Sequence, residues 1–284
     1  AFLKNGGEYI EDLEPGSVYY LSPEGDYSKE SIVEPDVRHC FFEWNYVADV
    51  DSILNLVSAR RVRETLGEVL AEEFQPSDAD LVTYLPRCPE VAARRSAQKT
   101  KLPFEPVFYK MRGERSFQGS TAEDRKRSID ENLHLLPGLQ QNLNGKTVIL
   151  IDDSIVRGNN SVRATQLLLK DAGVKKVYLV SYTPPIGIIP ADGVPRGCMF
   201  GVDMPPESPP GESFIARGRN PEQISEAMGL PVVYISLAGM HRAFSRLGLE
   251  SSQLCTYCIG GAHPYSDLKQ IEDVSENQMD LPLT

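Results

Sequence analysis

The segment Val148 to Ser161, VILIDDSIVRGNNS, constrains the fold more than any other part of the 284-residue chain. Its apolar, partly β-branched start reads as a buried parallel strand, and Val162 to Leu169 reads as the helix that follows. Asp152 and Asp153 then sit at the carboxyl end of a strand, which is where open α/β sheets bind ligands. The small polar loop around Gly158 opens a helix and offers backbone N–H groups to a phosphate. Two adjacent carboxylates beside such a loop suit ribose hydroxyls. The plain alternative is a buried strand that ends in a solvated Asp-Asp turn.

The rest of the chain alternates between the two periods. Asn55 to Phe74 carries apolar residues at helical spacing, Leu81 to Leu85 is a strand ended by Pro86, and Val91 to Thr100 is a helix. Pro103 to Lys110 reads as extended and Met111 to Gly138 as a long polar connection, a length that usually carries function or motion. Val177 to Pro185 and Val232 to Ser236 are further strands, with a helix over Asn220 to Met228. Alternating strands and helices predict an α/β fold with a mostly parallel sheet flanked by helices. Upstream, Tyr9 to Gly25 reads as a turn between short strands, with Pro15-Gly16 as the turn signal. Trp44 reads as core, His241 and His263 as surface or capping residues, and Pro205 to Glu212 as an exposed loop. The polar, acidic tail after Tyr265 is expected to be disordered.

At this length the chain holds one large domain or two modest ones. A net charge of −11 argues against nucleic acid or an anionic membrane as partner. The basic stretch Lys110 to Arg127 still leaves room for an anionic substrate. No apolar run is long enough to span a bilayer and no leader pattern opens the chain, so a cytoplasmic protein is the simplest reading. A start at Ala1 rather than methionine points to processing, trimming or a piece of something longer.

The wording DDSIVRG resembles the PRPP (5-phosphoribosyl pyrophosphate) motif of the type I phosphoribosyltransferases, in the version found in glutamine PRPP amidotransferases, or amidophosphoribosyltransferases. HCFFEWNYVADVDS (His39 to Ser52), SARRVRETLGEVLAEE (Ser58 to Glu73), KMRGERSFQ (Lys110 to Gln118), FGVDMP (Phe200 to Pro205) and FIARGRNPEQISEAMG (Phe214 to Gly229) are similar to other segments of that family. The likeness spans roughly residues 37 to 260. It implies a type I phosphoribosyltransferase domain over 37–250, preceded at 1–36 by a short β remnant of a glutaminase-type (Ntn hydrolase) domain and followed at 251–284 by a cysteine-containing segment and tail.

The same resemblance implies the chemistry. Asp152 and Asp153 would engage the ribose hydroxyls and hold Mg²⁺, directly or through PRPP. Ser154, Arg157, Gly158, Asn159, Asn160 and Ser161 would wrap the 5′-phosphate, while Lys110, Arg112 and Arg115 would close over the pyrophosphate. The implied reaction transfers ammonia, drawn from glutamine in the full enzyme, to PRPP, the first step of de novo purine biosynthesis. The family's catalytic cysteine opens its glutaminase domain, whereas Ala1 opens this chain. Glutamine hydrolysis is therefore not expected from this chain alone; a separate glutaminase domain or chain, or free ammonia, would supply the nitrogen. A homo-oligomer is also implied.

Three departures from the family pattern stand out. Asn159 and Asn160 replace two threonines, though their amides still donate to phosphate. PRCPEV (Pro86 to Val91) replaces a hydroxyl-rich pyrophosphate loop, with Pro89 removing one N–H and Arg87 able to compensate by charge. Asp130, Glu131 and Asn132 stand where an arginine and a lysine are expected, with Arg125, Lys126 and Arg127 slightly upstream. These leave open a slower enzyme, a transferase using another amine, or a PRPP-binding regulatory homologue with a redox-sensitive cluster.

Of five cysteines, Cys255 and Cys258 form a C-x-x-C. An odd count in a chain that reads as cytoplasmic argues against a disulfide framework and leaves metal or redox chemistry. By resemblance, Cys40, Cys198, Cys255 and Cys258 occupy the places where one subgroup of the family binds a 4Fe–4S cluster. A structural Cys₄ zinc and ordinary buried cysteines are the competing readings. Cys88 is left over, not a ligand.

Overall fold

The computed structural model describes residues 6–110, 132–202, 204–206 and 214–264. The chain opens with an antiparallel hairpin, β1 (Ser17–Leu21) and β2 (Tyr27–Ser31), that pairs Val18 with Glu30. The turn falls at Ser22 to Asp26, where Gly25 takes φ +94° and the Asp26 N–H donates to the Ser22 hydroxyl at 3.2 Å. Pro15-Gly16 is a turn, as the sequence suggested, but it precedes β1 rather than joining the two strands. Gly16 lies below β1, and its carbonyl accepts from the Ile32 and Val33 N–H groups at 2.8 and 3.1 Å, closing the hairpin's base. The two signals are close, with Gly16 and Gly25 nine residues apart, and hydrogen-bond register decides which of them joins the strands.

β3 (His39–Cys40) is followed by a helical turn over Glu43–Val47 and a two-residue hairpin, β4 (Ile53–Leu54) and β5 (Val57–Ser58). Asn55 and Leu56 make its bend at φ +48° and +63°. The helix expected from Asn55 thus begins later, as α1 (Ala59–Glu73), because the Ser58 side chain caps it by accepting from the Arg61 N–H. Ala59, Val62, Leu66, Val69 and Leu70 form its buried stripe. After β6 (Leu81–Tyr84), α2 (Glu90–Thr100) packs its small residues Ala92, Ala93 and Ala97 on α1. The two backbones come so close at Gly67 that a Cβ there would lie 2.2 Å from the Ala92 carbonyl oxygen.

β7 (Phe108–Lys110) pairs with β8 (Leu133–Leu135), so part of the expected long connection is strand. A short turn, α3 (Gln140–Leu143), leads to β9 (Thr147–Asp152), all six of whose residues are buried. α4 (Asn159–Gln166) continues into a wider helical turn to Asp171, and β10 (Lys176–Ser181), α5 (Pro221–Met228) and β11 (Val232–Tyr234) complete the body. The main sheet has the order β11-β10-β9-β6 with every pair parallel. Alternate residues of β9 serve opposite faces: Ile149 and Ile151 join the core built on α1 and α2, and Val148 and Leu150 join the core built on α4 and α5. This is the α/β fold that the sequence predicts, with helices on both faces.

One helix escaped the sequence reading. α6 (Leu237–Ser245) is short and contains a glycine, but Glu73 fixes its start by accepting from the Ser236 N–H and hydroxyl, both at 2.8 Å, and from Arg242 at 3.0 Å. Beyond it β12 (Leu254–Cys255) pairs in parallel with β3, returning the C-terminal segment to the start of the body. Trp44 is core, edge-on to Phe244. His263 packs against Tyr257 and Phe200. The tail from Tyr265 and most of Pro205 to Glu212 lie outside the described residues. No helix among the described residues is long and apolar enough to cross a membrane.

Candidate active site

β9 is a central strand, and it ends at two carboxylates that are 7% and 8% exposed, Asp152 and Asp153. One oxygen of Asp152 accepts from the Asp153 N–H at 2.8 Å and the other from the Ser161 hydroxyl at 2.9 Å; Asp153 accepts from the Ser154 hydroxyl at 3.0 Å. Gly158, at φ +83°, turns the loop into α4, and a Cβ there would lie 3.0 Å from the Met228 sulfur. The serine at position 161 thereby ties the helix's first turn to the strand's last residue.

Burial raises both acids. Asp152 is held well above the ordinary carboxylate range, first by desolvation and then by the charge of Asp153, while Ser161 and backbone N–H groups work against this. Asp153 is pushed up to about 6 by desolvation, opposed by Ser154 and by the charge of Arg63. Two buried acids this close do not both ionise comfortably without a counter-charge or hydroxyl donors.

They form the floor of a cavity of about 1100 Å³. Every described residue that sequence predicts for the site lines it: Ser154, Arg157 to Ser161, Arg87 and Lys110. Arg112 and Arg115 lie outside the described residues. Cations outnumber acids along the wall, in a chain of strongly negative net charge, so the cavity suits an anion. The peptide from Pro86 to Arg87 is cis. Lys110 is shifted toward neutrality by burial and by Arg87.

Sequence reasoning missed the opposite wall. Tyr46 to Val50 and the α1 residues Arg60, Arg61 and Arg63 reach the cavity, and no local pattern marks them. Cys88, which sequence left without a role, sits there too. Its thiol meets the Asn45 carbonyl at 3.2 Å and the Tyr182 hydroxyl at 3.4 Å, and burial pushes it up to about 12.

A second constellation lies where β3 meets β12. Cys40 and Cys255 are register partners, and Cys198 and Cys258 are near enough that the four thiols feel one another's charge. The Cys198 sulfur accepts from the Phe200 and Val202 N–H groups at 3.4 Å each, and backbone N–H groups also reach Cys40 and Cys255. Burial raises Cys40 to about 11 and Cys258 well above its ordinary range. Among the described residues no three His, Cys, Asp or Glu side chains stand in a geometry that holds a metal ion. The structure brings the predicted set together, but not into ligating positions.

No protein-family model matches the chain. An amidophosphoribosyltransferase of Archaeoglobus fulgidus is 34% identical over 264 residues, which are 92% of this chain and 54% of that protein. One from Methanothermobacter thermautotrophicus is 31% identical over 277 residues, 96% of this chain and 54% of the relative. The solved glutamine PRPP amidotransferase of B. subtilis, complexed with ADP and GMP, matches at 28% identity and a TM-score of 0.72, covering 92% of this chain and 55% of its own. The chain thus spans about half the length of the relatives it matches. On this similarity and on its sheet and strand-end acids, the chain belongs to the amidophosphoribosyltransferase family and has the type I phosphoribosyltransferase fold.

Proposed function

We propose that this chain carries the phosphoribosyl-transfer half of an amidophosphoribosyltransferase, joining ammonia to PRPP to give 5-phosphoribosylamine and pyrophosphate, the first step of de novo purine biosynthesis. The buried Asp152-Asp153 pair, under a helix-opening loop in a cationic cavity, carries the proposal. In the reaction the bond from the anomeric carbon to the pyrophosphate oxygen breaks, its electron pair leaving with pyrophosphate. A carbon–nitrogen bond forms from the ammonia lone pair, and a proton is released. Charge appears on the leaving group and on the ribose, so the protein's task is positioning and charge stabilisation.

Asp152 and Asp153 orient the ribose by accepting from its hydroxyls, which relieves their mutual repulsion. The loop Arg157 to Ser161 binds the 5′-phosphate by backbone N–H groups, the Arg157 charge and the amides of Asn159 and Asn160. Arg87 and Lys110 face the pyrophosphate. The acid pair also fits Mg²⁺, since two crowded carboxylates are what a hard cation needs; when bound it neutralises charge on the leaving group. Arg112 and Arg115 belong to the same proposal.

The four cysteines supply the donor set of a 4Fe–4S cluster, and N–H groups already aim at three of the sulfurs, as they do toward cluster thiolates, although the thiols would have to draw together to ligate it. Cys40, Cys198, Cys255 and Cys258 would then pin β12 to β3. Zinc is the competing occupant. Residues 1–36 as a glutaminase remnant, nitrogen from a separate glutaminase domain or chain, and homo-oligomeric assembly complete the reading.

The test is pyrophosphate release from PRPP and Mg²⁺ by anaerobically purified protein, with ammonium chloride, glutamine or neither, beside Asp152→Asn. Release that needs ammonia and disappears in the variant is expected. PRPP binding without release from the parent protein would overturn the proposal.

A further inference from the structure

Arg63 is a buried guanidinium with no ion-pair partner among the described residues. It stands on α1 at 2% exposure and lines the cavity. Its Nε donates to the Trp44 carbonyl at 2.9 Å and its Nη2 to the Ala48 carbonyl at 2.7 Å. No ion pair among the described residues includes it, although its neighbours Arg60 and Arg61 pair with Asp51 and Glu64. Its two hydrogen bonds go to neutral carbonyls, and its charge meets that of Asp153 without forming an ion pair among the described residues, so an anionic ligand adds the direct partner that a buried charge needs. Nη1 makes no hydrogen bond among the described residues, so one edge of the fork is free for an acceptor.

The charge of Arg63 reaches Cys88, in the loop between β6 and α2. Arg87 belongs to the same loop and interacts with Lys110 at the end of β7. Two cations from other elements, Arg63 and Lys110, therefore join Arg87 at the loop that lacks hydroxyls and loses an N–H at Pro89. The 5′-phosphate loop lies elsewhere, at the start of α4. Lys110 is displaced toward neutrality by burial and by Arg87, whereas arginine keeps its proton.

Resting on the PRPP reading of the cavity, we propose that Arg63 binds the pyrophosphate group of PRPP, its free Nη1 edge supplying donors that the Arg87-Cys88-Pro89 loop does not. The two carbonyl bonds hold the fork rigidly, so little side-chain freedom is lost when the ligand binds. The wall from Tyr46 to Ala48 keeps its place through the same side chain.

Titration calorimetry of the full chain with two probes tests this: inorganic pyrophosphate with Mg²⁺ for one end of the site and ribose 5-phosphate for the other. Arg63→Gln is expected to weaken pyrophosphate at least tenfold and to weaken ribose 5-phosphate, whose acid Asp153 also meets the Arg63 charge, far less, and Arg63→Lys to recover part of the loss. Pyrophosphate affinity equal to the parent's in Arg63→Gln would overturn the assignment. So would equal weakening of both probes in both variants, the signature of a role confined to holding the wall. If the parent chain binds neither probe, the PRPP reading itself fails and the assignment falls with it.

Discussion

The acid floor and the cysteine pocket solve one problem in opposite ways. Each crowds groups that carry the same sign of charge when ionised, and burial raises both acids and the thiols of Cys40, Cys255 and Cys258. At Asp152 and Asp153 the relief comes from hydroxyl and N–H donors and from cations across an open cavity, so a soluble ligand can enter and complete the site. At Cys40, Cys198, Cys255 and Cys258 it comes from backbone N–H groups, and the chain's own C-terminal segment closes over the set. On the proposed function the first arrangement serves turnover, and the second would hold a resident group that staples the fold.

The sharpest way to break this contrast is to remove one charge from each. Asp152→Asn should lower ammonia-dependent turnover by about 10²–10³-fold, the range for losing one positioned electrostatic partner. It should leave the thermal midpoint at neutral pH unchanged or higher, because a repelled buried charge is gone. Cys258→Ser should do the reverse, costing stability on the order of several kcal/mol together with any bound metal and its visible absorption. A cysteine variant of full stability and undiminished colour would end the staple reading.

pH separates the two further. The folded state holds Asp153's proton up to about 6, against an ordinary carboxylate value of 3.8. Folded protein therefore binds more protons than unfolded between about pH 4 and 6, and stability falls as pH rises through that window, by up to about 3 kcal/mol. Urea denaturation at pH 4.5 and 7 should show this slope in the parent and a flatter one in Asp153→Asn. PRPP affinity should run the other way, rising as pH passes about 6, because on the proposed function ribose hydroxyls and Mg²⁺ would be held by carboxylates. Affinity that is flat from pH 5 to 7 would remove the acid pair from substrate binding.

Legibility follows the same divide. β9, the loop at Gly158 and α4 are one continuous stretch, so strand period, turn residue and acids could be read together. The four cysteines could be grouped from sequence only through the family resemblance, because their spacing carries no local signal beyond the C-x-x-C, and it is the pairing of β3 with β12 that gathers them. Arg63 was hidden for a third reason: it lies next to the apolar stripe of an amphipathic helix, where an arginine reads as a solvated edge. α6 was missed because Glu73, far away in sequence, fixes its start. The hairpin's turn was misplaced because register, not composition, chose between two Gly signals.

A smaller expected effect comes from the hairpin, which shares neither site. Leu21 ends β1 at 82% exposure, and every residue of β2 is exposed. A two-stranded ribbon of this kind is marginal on its own and buries little apolar surface. Leu21→Ser should therefore change stability by no more than about 0.5 kcal/mol, as for an exposed residue that packs on nothing. Turnover and both probe affinities should stay at parental values. A drop of 2 kcal/mol or more in urea denaturation, with the cavity's binding intact, would mean that this face is covered in solution. The hairpin would then be a third region whose burial, like that of the cysteine pocket, depends on chain remote from it in sequence.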